Sequence, residues 1–147
     1  MKKFLMLTVA VLLTTTVFAQ IEKPVKWSYA AKKINSKEAV VLIKATVQKG
    51  WHIYSQFGKD DGPIPTTFTF TPSKDYTLAG KASEPKGITK YEAVFKTNVT
   101  YFENTVIFQQ KIKLNKAAAM VKGSIEYMVC NEFKCIKDDT EFSIPVN

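Results

Sequence analysis

Arginine is absent from this chain. All 21 basic residues are lysine, set against 13 acids, and the formal net charge is +8. Nucleic-acid and phosphate sites draw on the planar, bidentate fork of arginine. The lysines run from Lys23 to Lys137 without clustering. No nucleic-acid partner is expected, and the charge reads as a solvated surface with a mild preference for acidic partners. Histidine occurs once, at His52, and cysteine twice. A structural zinc site takes four Cys or His ligands, so no metal and no other cofactor is expected. No Gly-x-Ser-x-Gly elbow is present to carry a serine nucleophile. His52, between Trp51 and Ile53, reads as a strand histidine with a local hydrogen bond.

Long apolar runs are also scarce. The one that exists starts at Phe4, behind Met1-Lys2-Lys3, and reaches Leu13 with only Thr8 interrupting it. It closes on Val17-Phe18-Ala19. A basic start, a short apolar core and a small terminal residue make a secretory signal peptide over residues 1–19. A membrane span needs roughly 20 apolar residues, so no stable membrane insertion is expected once the signal is cleaved. No cysteine follows the cleavage site to take a lipid. Residues 20–147 are expected to form a single exported domain, periplasmic or secreted, in a compartment where disulfides persist.

Helical periodicity is missing too. Val25, Trp27 and Tyr29 alternate with Lys26, Ser28 and Ala30. Ala39–Val47 is a β-branched run, and Lys49-Gly50 turns the chain into Trp51–Tyr54. Thr66–Thr71 alternates threonine with phenylalanine, and Thr105–Leu114, Ser124–Val129 and Glu141–Val146 continue the period of two. Pro145 places the last run at a sheet edge. Turn signals fall at Asp60–Pro63, Pro72-Ser73, Ala79-Gly80, Pro85–Gly87 and Lys122-Gly123. Asn115–Met120 is the only helical hint. The pattern predicts an all-β fold, an antiparallel β-sandwich.

What the chain does carry is Cys130 and Cys135, separated by Asn131-Glu132-Phe133-Lys134. Two thiols this close can form a structural disulfide or pass electrons. As a staple the bridge is weak: closing about six residues is worth only about 2 kcal/mol on the chain-entropy account. The pair follows one predicted strand and precedes another, so it should sit at a hairpin end, open to a partner's thiolate. Lys134 and Lys137 favour a thiolate there and Glu132 opposes it.

Four segments give the chain a resemblance. They are Lys49-Gly50-Trp51-His52-Ile53-Tyr54-Ser55-Gln56, Asp61-Gly62-Pro63-Ile64-Pro65-Thr66, Tyr91-Glu92-Ala93-Val94-Phe95, and Tyr127-Met128-Val129-Cys130 with Cys135 beyond. Together they resemble the N-terminal exported domain of DsbD-type thiol:disulfide interchange proteins. The resemblance implies an immunoglobulin-like sandwich with a redox pair under a cap loop. It makes Cys130 and Cys135 the redox pair, with Cys135 the attacking thiol and Cys130 the resolving one. It places the cap at Tyr91–Lys96, where Val94 or Phe95 shields the sulfurs, and it makes His52 and Tyr54 lining residues. It implies thioredoxin-like redox proteins, acting in trans, as partners.

The chain departs from the family's pattern in places. Ile136-Lys137-Asp138-Asp139 stands where relatives carry proline after the second cysteine, and Lys96 where a glycine closes the cap. The sequence ends at Asn147, short of the membrane and C-terminal thioredoxin-like parts of full-length relatives, so a reductant is expected from a separate polypeptide. The other open reading is a non-catalytic immunoglobulin-like binding or assembly module that keeps the bridge as a staple.

Overall fold

The computed structural model describes residues 21–147. The expected signal peptide lies outside the described residues. Among the described residues ten strands make up the regular structure: β1 (Val25–Asn35), β2 (Glu38–Val47), β3 (His52–Tyr54), β4 (Thr67–Phe70), β5 (Tyr76–Leu78), β6 (Ile88–Glu92), β7 (Thr97–Phe102), β8 (Thr105–Leu114), β9 (Ala119–Cys130) and β10 (Cys135–Val146). One sheet has the order β1-β2-β8-β5. The other runs β10-β9-β3-β7-β6, and β4 also pairs with β9. The pairings are antiparallel. This is the expected immunoglobulin-like β-sandwich.

The period of two explains the core. On β2 the inward residues are Ala39, Val41, Ile43, Ala45 and Val47, and on β8 they are Val106, Phe108, Ile112 and Leu114. The facing sheet contributes Ile53 from β3, Val121, Ile125, Tyr127 and Val129 from β9, and Phe142, Ile144 and Val146 from β10. Phe108 is fully buried and stands against the rings of Phe68, Phe102 and Trp27 at 4.9, 5.9 and 6.3 Å. Burying each such side chain is worth roughly 1.5–3 kcal/mol. One of them matches the whole entropic contribution of a six-residue disulfide loop, so the sandwich does not hang on its bridge.

Two expectations are corrected, and three strands come in addition to those expected. Asn115–Ala118 forms bends rather than a helical turn, and β9 starts at Ala119. Only Ala119 of the three alanines joins the strand, where it pairs with Val146 across the sheet. Lys122-Gly123 is not a turn but the interior of β9. A Cβ on Gly123 would stand 2.2 Å from Thr69 O and 2.6 Å from Phe142 Cζ. Glycine is there so that β4 and the Phe142 ring can close on the strand. Finally, β5, β6 and β7 carry no clear alternation and were not anticipated. Pro145 does lie on an edge strand, since among the described residues β10 pairs only with β9.

Candidate redox site

Cys130 faces away from the main core. Odd-numbered β9 residues Val121, Ile125, Tyr127 and Val129 point between the sheets, whereas Cys130 is 2% exposed within a second cluster. That cluster holds Tyr54 from β3 and Val99 from β7, with Phe95, Tyr101 and Met128 packed against it. It lies on the outer face of the six-stranded sheet, where the β6–β7 connection covers it. The side chain that would otherwise meet water is therefore buried.

The β9–β10 hairpin sets the pair's geometry. Asn131 Oδ1 accepts from the backbone N–H groups of Phe133 and Lys134, each at 2.9 Å. The Asn131 N–H donates to Lys134 O at 2.9 Å. Residues 131 and 134 thus form a hydrogen-bonded rung. The next rung, Cys130 opposite Cys135, is the close, non-hydrogen-bonded kind, with a Cα–Cα distance of 4.1 Å, and the two sulfurs are bonded. Cys135 is exposed while Cys130 is not. Lys134 ties the hairpin down: its Nζ pairs with Glu22 and stands 5.8 Å from the Trp51 ring centroid.

β3 supplies the aromatic side. Gly50 takes φ +84° in the turn that leads into it, a left-handed conformation that glycine adopts without cost. His52 is then the cross-strand partner of Cys130, so one rung runs His52, Cys130, Cys135 across three strands. Tyr54, two residues on, points to the same face. Its hydroxyl is 3.1 Å from His52 Nε2. Tyr101, opposite Tyr54 on β7, packs against the His52 ring at a 47° tilt, with centroids 4.7 Å apart.

The connection from β6 to β7 forms the cover. Its turn is closed by the Phe95 N–H donating to Glu92 O at 3.2 Å and the Lys96 N–H to Ala93 O at 3.3 Å. Phe95 meets the Tyr54 ring edge-on at 6.3 Å. Val94, at 84% exposed, stands at the tip. Lys96 takes φ +53°, the conformation a glycine would favour at this position.

These elements enclose a cleft of about 380 Å³ lined by Cys130, Cys135, His52, Tyr54, Val94 and Phe95, all anticipated from sequence. Tyr91, the remaining one, is opposite Asn98 on the β6–β7 ladder, 59% exposed, and does not line the cleft. Sequence reasoning missed Tyr101, Lys90 and Glu103 on the cleft wall. Tyr101 was out of reach because its partnership with Tyr54 depends on β7, whose sequence does not alternate cleanly. Burial pushes the His52 imidazole below its ordinary value, against the upward pull of Glu92 and Glu103 and with a further push down from Lys90. Burial, with Glu92 and Tyr101 adding to it, pushes the Tyr54 hydroxyl up to about 12.

The molecule is thus an immunoglobulin-like sandwich with a hairpin-end disulfide, one sulfur-bearing residue open and the other covered. Its sequence matches the family model for the N-terminal region of the thiol:disulfide interchange protein DsbD over residues 21–147, and the chain belongs to that family. No curated protein matches the sequence. Solved structures share the fold. The N-terminal periplasmic domain of ScsB from Proteus mirabilis aligns with a TM-score of 0.62 at 15% identity, covering 83% of this chain and 46% of that one. This chain therefore spans under half of the ScsB domain. The DsbD N-terminal domain of Neisseria meningitidis in the reduced form aligns at TM-score 0.52 and 21% identity, covering 81% and 85% of the two chains. The Neisseria DsbD N-terminal domain in complex with the PilB N-terminal domain gives 0.54 at 19% identity, covering 84% and 87%.

Proposed function

We propose that this domain is an exported thiol–disulfide carrier, periplasmic or secreted, that passes electrons through Cys130 and Cys135. A thioredoxin-like reductant in trans supplies them and oxidised acceptor proteins take them. The observation that carries the reading is the asymmetry of the pair. A thiolate can approach Cys135, while Cys130, under the Phe95 cover, is placed to leave and return as the internal partner. Family membership supports dithiol chemistry. The reduced form and the PilB complex of the Neisseria domain support, by analogy of fold, a bridge that opens and a protein partner. Val94 and Phe95 act as the shield, with His52 and Tyr54 as the wall. The weak entropic contribution of so short a loop argues against a pure staple.

A Cys130→Ser protein tests this. Offered an oxidised thioredoxin-like protein, it is expected to hold a persistent mixed disulfide through Cys135, visible on a non-reducing gel and assigned by mass spectrometry. A protein that folds, keeps a free Cys135 thiol and captures nothing would establish the staple reading instead.

A further inference from the structure

Exchange through a buried thiol leaves a proton to be moved, and the cleft contains one group suited to move it. We propose that His52 is the base that takes the proton of Cys130 when that thiol attacks the mixed disulfide held on Cys135. The inference rests on the carrier reading above and adds to it the proton path.

Placement is the first argument. His52 and Cys130 are directly opposed on β3 and β9. Opposed residues on an antiparallel pair have Cβ atoms roughly 4.5–5.5 Å apart on the same face, within reach of an imidazole. Both side chains line the one cleft, as does Cys135. Orientation is the second. The ring is held on two sides, packed at a 47° tilt against Tyr101 with centroids 4.7 Å apart and bonded through Nε2 to the Tyr54 hydroxyl at 3.1 Å. Tyr54 keeps its own proton throughout the physiological range because its hydroxyl is pushed up to about 12. The third argument is chemical type. Of the groups facing His52, Tyr54 comes from β3, Lys90 and Glu92 from β6, Tyr101 and Glu103 from β7 and the residue after it, Cys130 from β9, and Glu132 from the hairpin. Among these and His52 itself, only an imidazole ordinarily titrates near neutral pH. Burial outweighs the carboxylates and keeps the ring neutral, ready to accept.

The step balances as follows. The Cys135 thiolate attacks one sulfur of an acceptor disulfide. A Cys135–acceptor bond forms and the acceptor's other sulfur leaves as a thiolate. With Nε2–H donating to the Tyr54 hydroxyl oxygen, Nδ1 is the unprotonated nitrogen; the Cys130 S–H proton then passes to His52 Nδ1, and the Cys130 sulfur attacks Sγ of Cys135. The internal disulfide forms, the acceptor's second sulfur leaves with the bonding pair, and His52 returns its proton to a departing thiolate. Two electrons move from the dithiol to the acceptor. An ordinary thiol, with a pKa of roughly 8.5, is about 3% ionised at about pH 7, so a base can gain at most about 30-fold in this step.

A chromogenic aromatic disulfide, dithiobis-nitrobenzoate, reads both steps on the reduced, untagged protein. The first release of nitrothiobenzoate reports Cys135, and the second reports Cys130 closing the ring. In His52→Gln the second release is expected to slow by about 10-fold near pH 7, within the ceiling set by thiol ionisation, and to converge on the natural protein at about pH 9. The first release should be unchanged. Equal second-release profiles would overturn the proposal while leaving the carrier reading intact. A natural protein whose bridge resists a small dithiol would overturn both. His52 is the only histidine, so a proton NMR titration of the natural protein needs no variant. Its midpoint should move between the oxidised and reduced forms, and an identical midpoint in both would also overturn the proposal.

Discussion

Cys130 is 2% exposed, while Cys135, its cross-strand partner 4.1 Å away at Cα, is open to solvent. The two thiols of the reduced protein are therefore expected to differ in reactivity. Iodoacetamide should alkylate Cys135 at least about 10-fold faster than Cys130, since reactivity follows access as well as thiolate fraction. Peptide mapping after a short pulse checks this. Equal labelling would mean that the cover over Cys130 opens on reduction.

Of the two cover residues that line the cleft, Phe95 makes an edge-on contact with the Tyr54 ring. Phe95→Ala should speed reduction of the bridge by a small dithiol several-fold, because the shield is lost while the sulfurs stay in place. Val94→Ala, at a tip already 84% exposed, should shift the unfolding midpoint by less than about 0.5 kcal/mol. Stopped-flow reduction and urea melts separate the two roles.

Gly123→Ala tests the packing that brings β4 onto β9. The added methyl would meet Thr69 O and the Phe142 ring at 2.2 and 2.6 Å. Overpacking of this kind costs about 1–3 kcal/mol, and with backbone as one obstacle the upper end is expected. A urea midpoint within experimental error of the natural protein would show that the strands part freely here.

Acid should weaken the fold through His52. Its folded value lies below the ordinary 6.5, chiefly through burial. Between these two values the unfolded chain binds the proton and the folded one does not, so stability falls as pH drops below about 6.5 and levels off beneath the folded value. The slope cannot exceed about 1.4 kcal/mol per pH unit for one proton, and solvent access to the half-buried ring makes it smaller. His52→Gln should flatten this segment of a stability–pH profile measured by urea unfolding between about pH 7.5 and 5. An unchanged slope would assign the acid sensitivity to other groups.

Much of this molecule is written locally. Alternation marks β1, β2, β4, β8, β9 and β10 because one face of each meets the core and the other meets water or polar neighbours. The short spacing of Cys130 and Cys135 places them across a hairpin, since four residues are enough to turn a strand back. His52 and Tyr54 share a face because strand side chains alternate. The positions of β5, β6 and β7 are not legible in this way. Ile88–Glu92 is exposed along nearly its whole length, so no hydrophobic period announces it, and it forms only because β7 offers an edge. Lys96 hides its left-handed conformation behind an ordinary side chain.

The sequence by itself determined an all-β chain and set its two cysteines a hairpin's length apart, because these depend on local period and spacing; the residues around the pair were implied by the family resemblance. Only the tertiary structure decided that Cys130 is covered and Cys135 open. Val129 and Cys130 are adjacent and both buried, which a single buried sheet face forbids. It takes a second cover, the β6–β7 turn folded over the outer face, to bury the even-numbered side chain. That contact joins segments more than thirty residues apart, roughly the span from Phe95 to Cys130, and no local pattern encodes it.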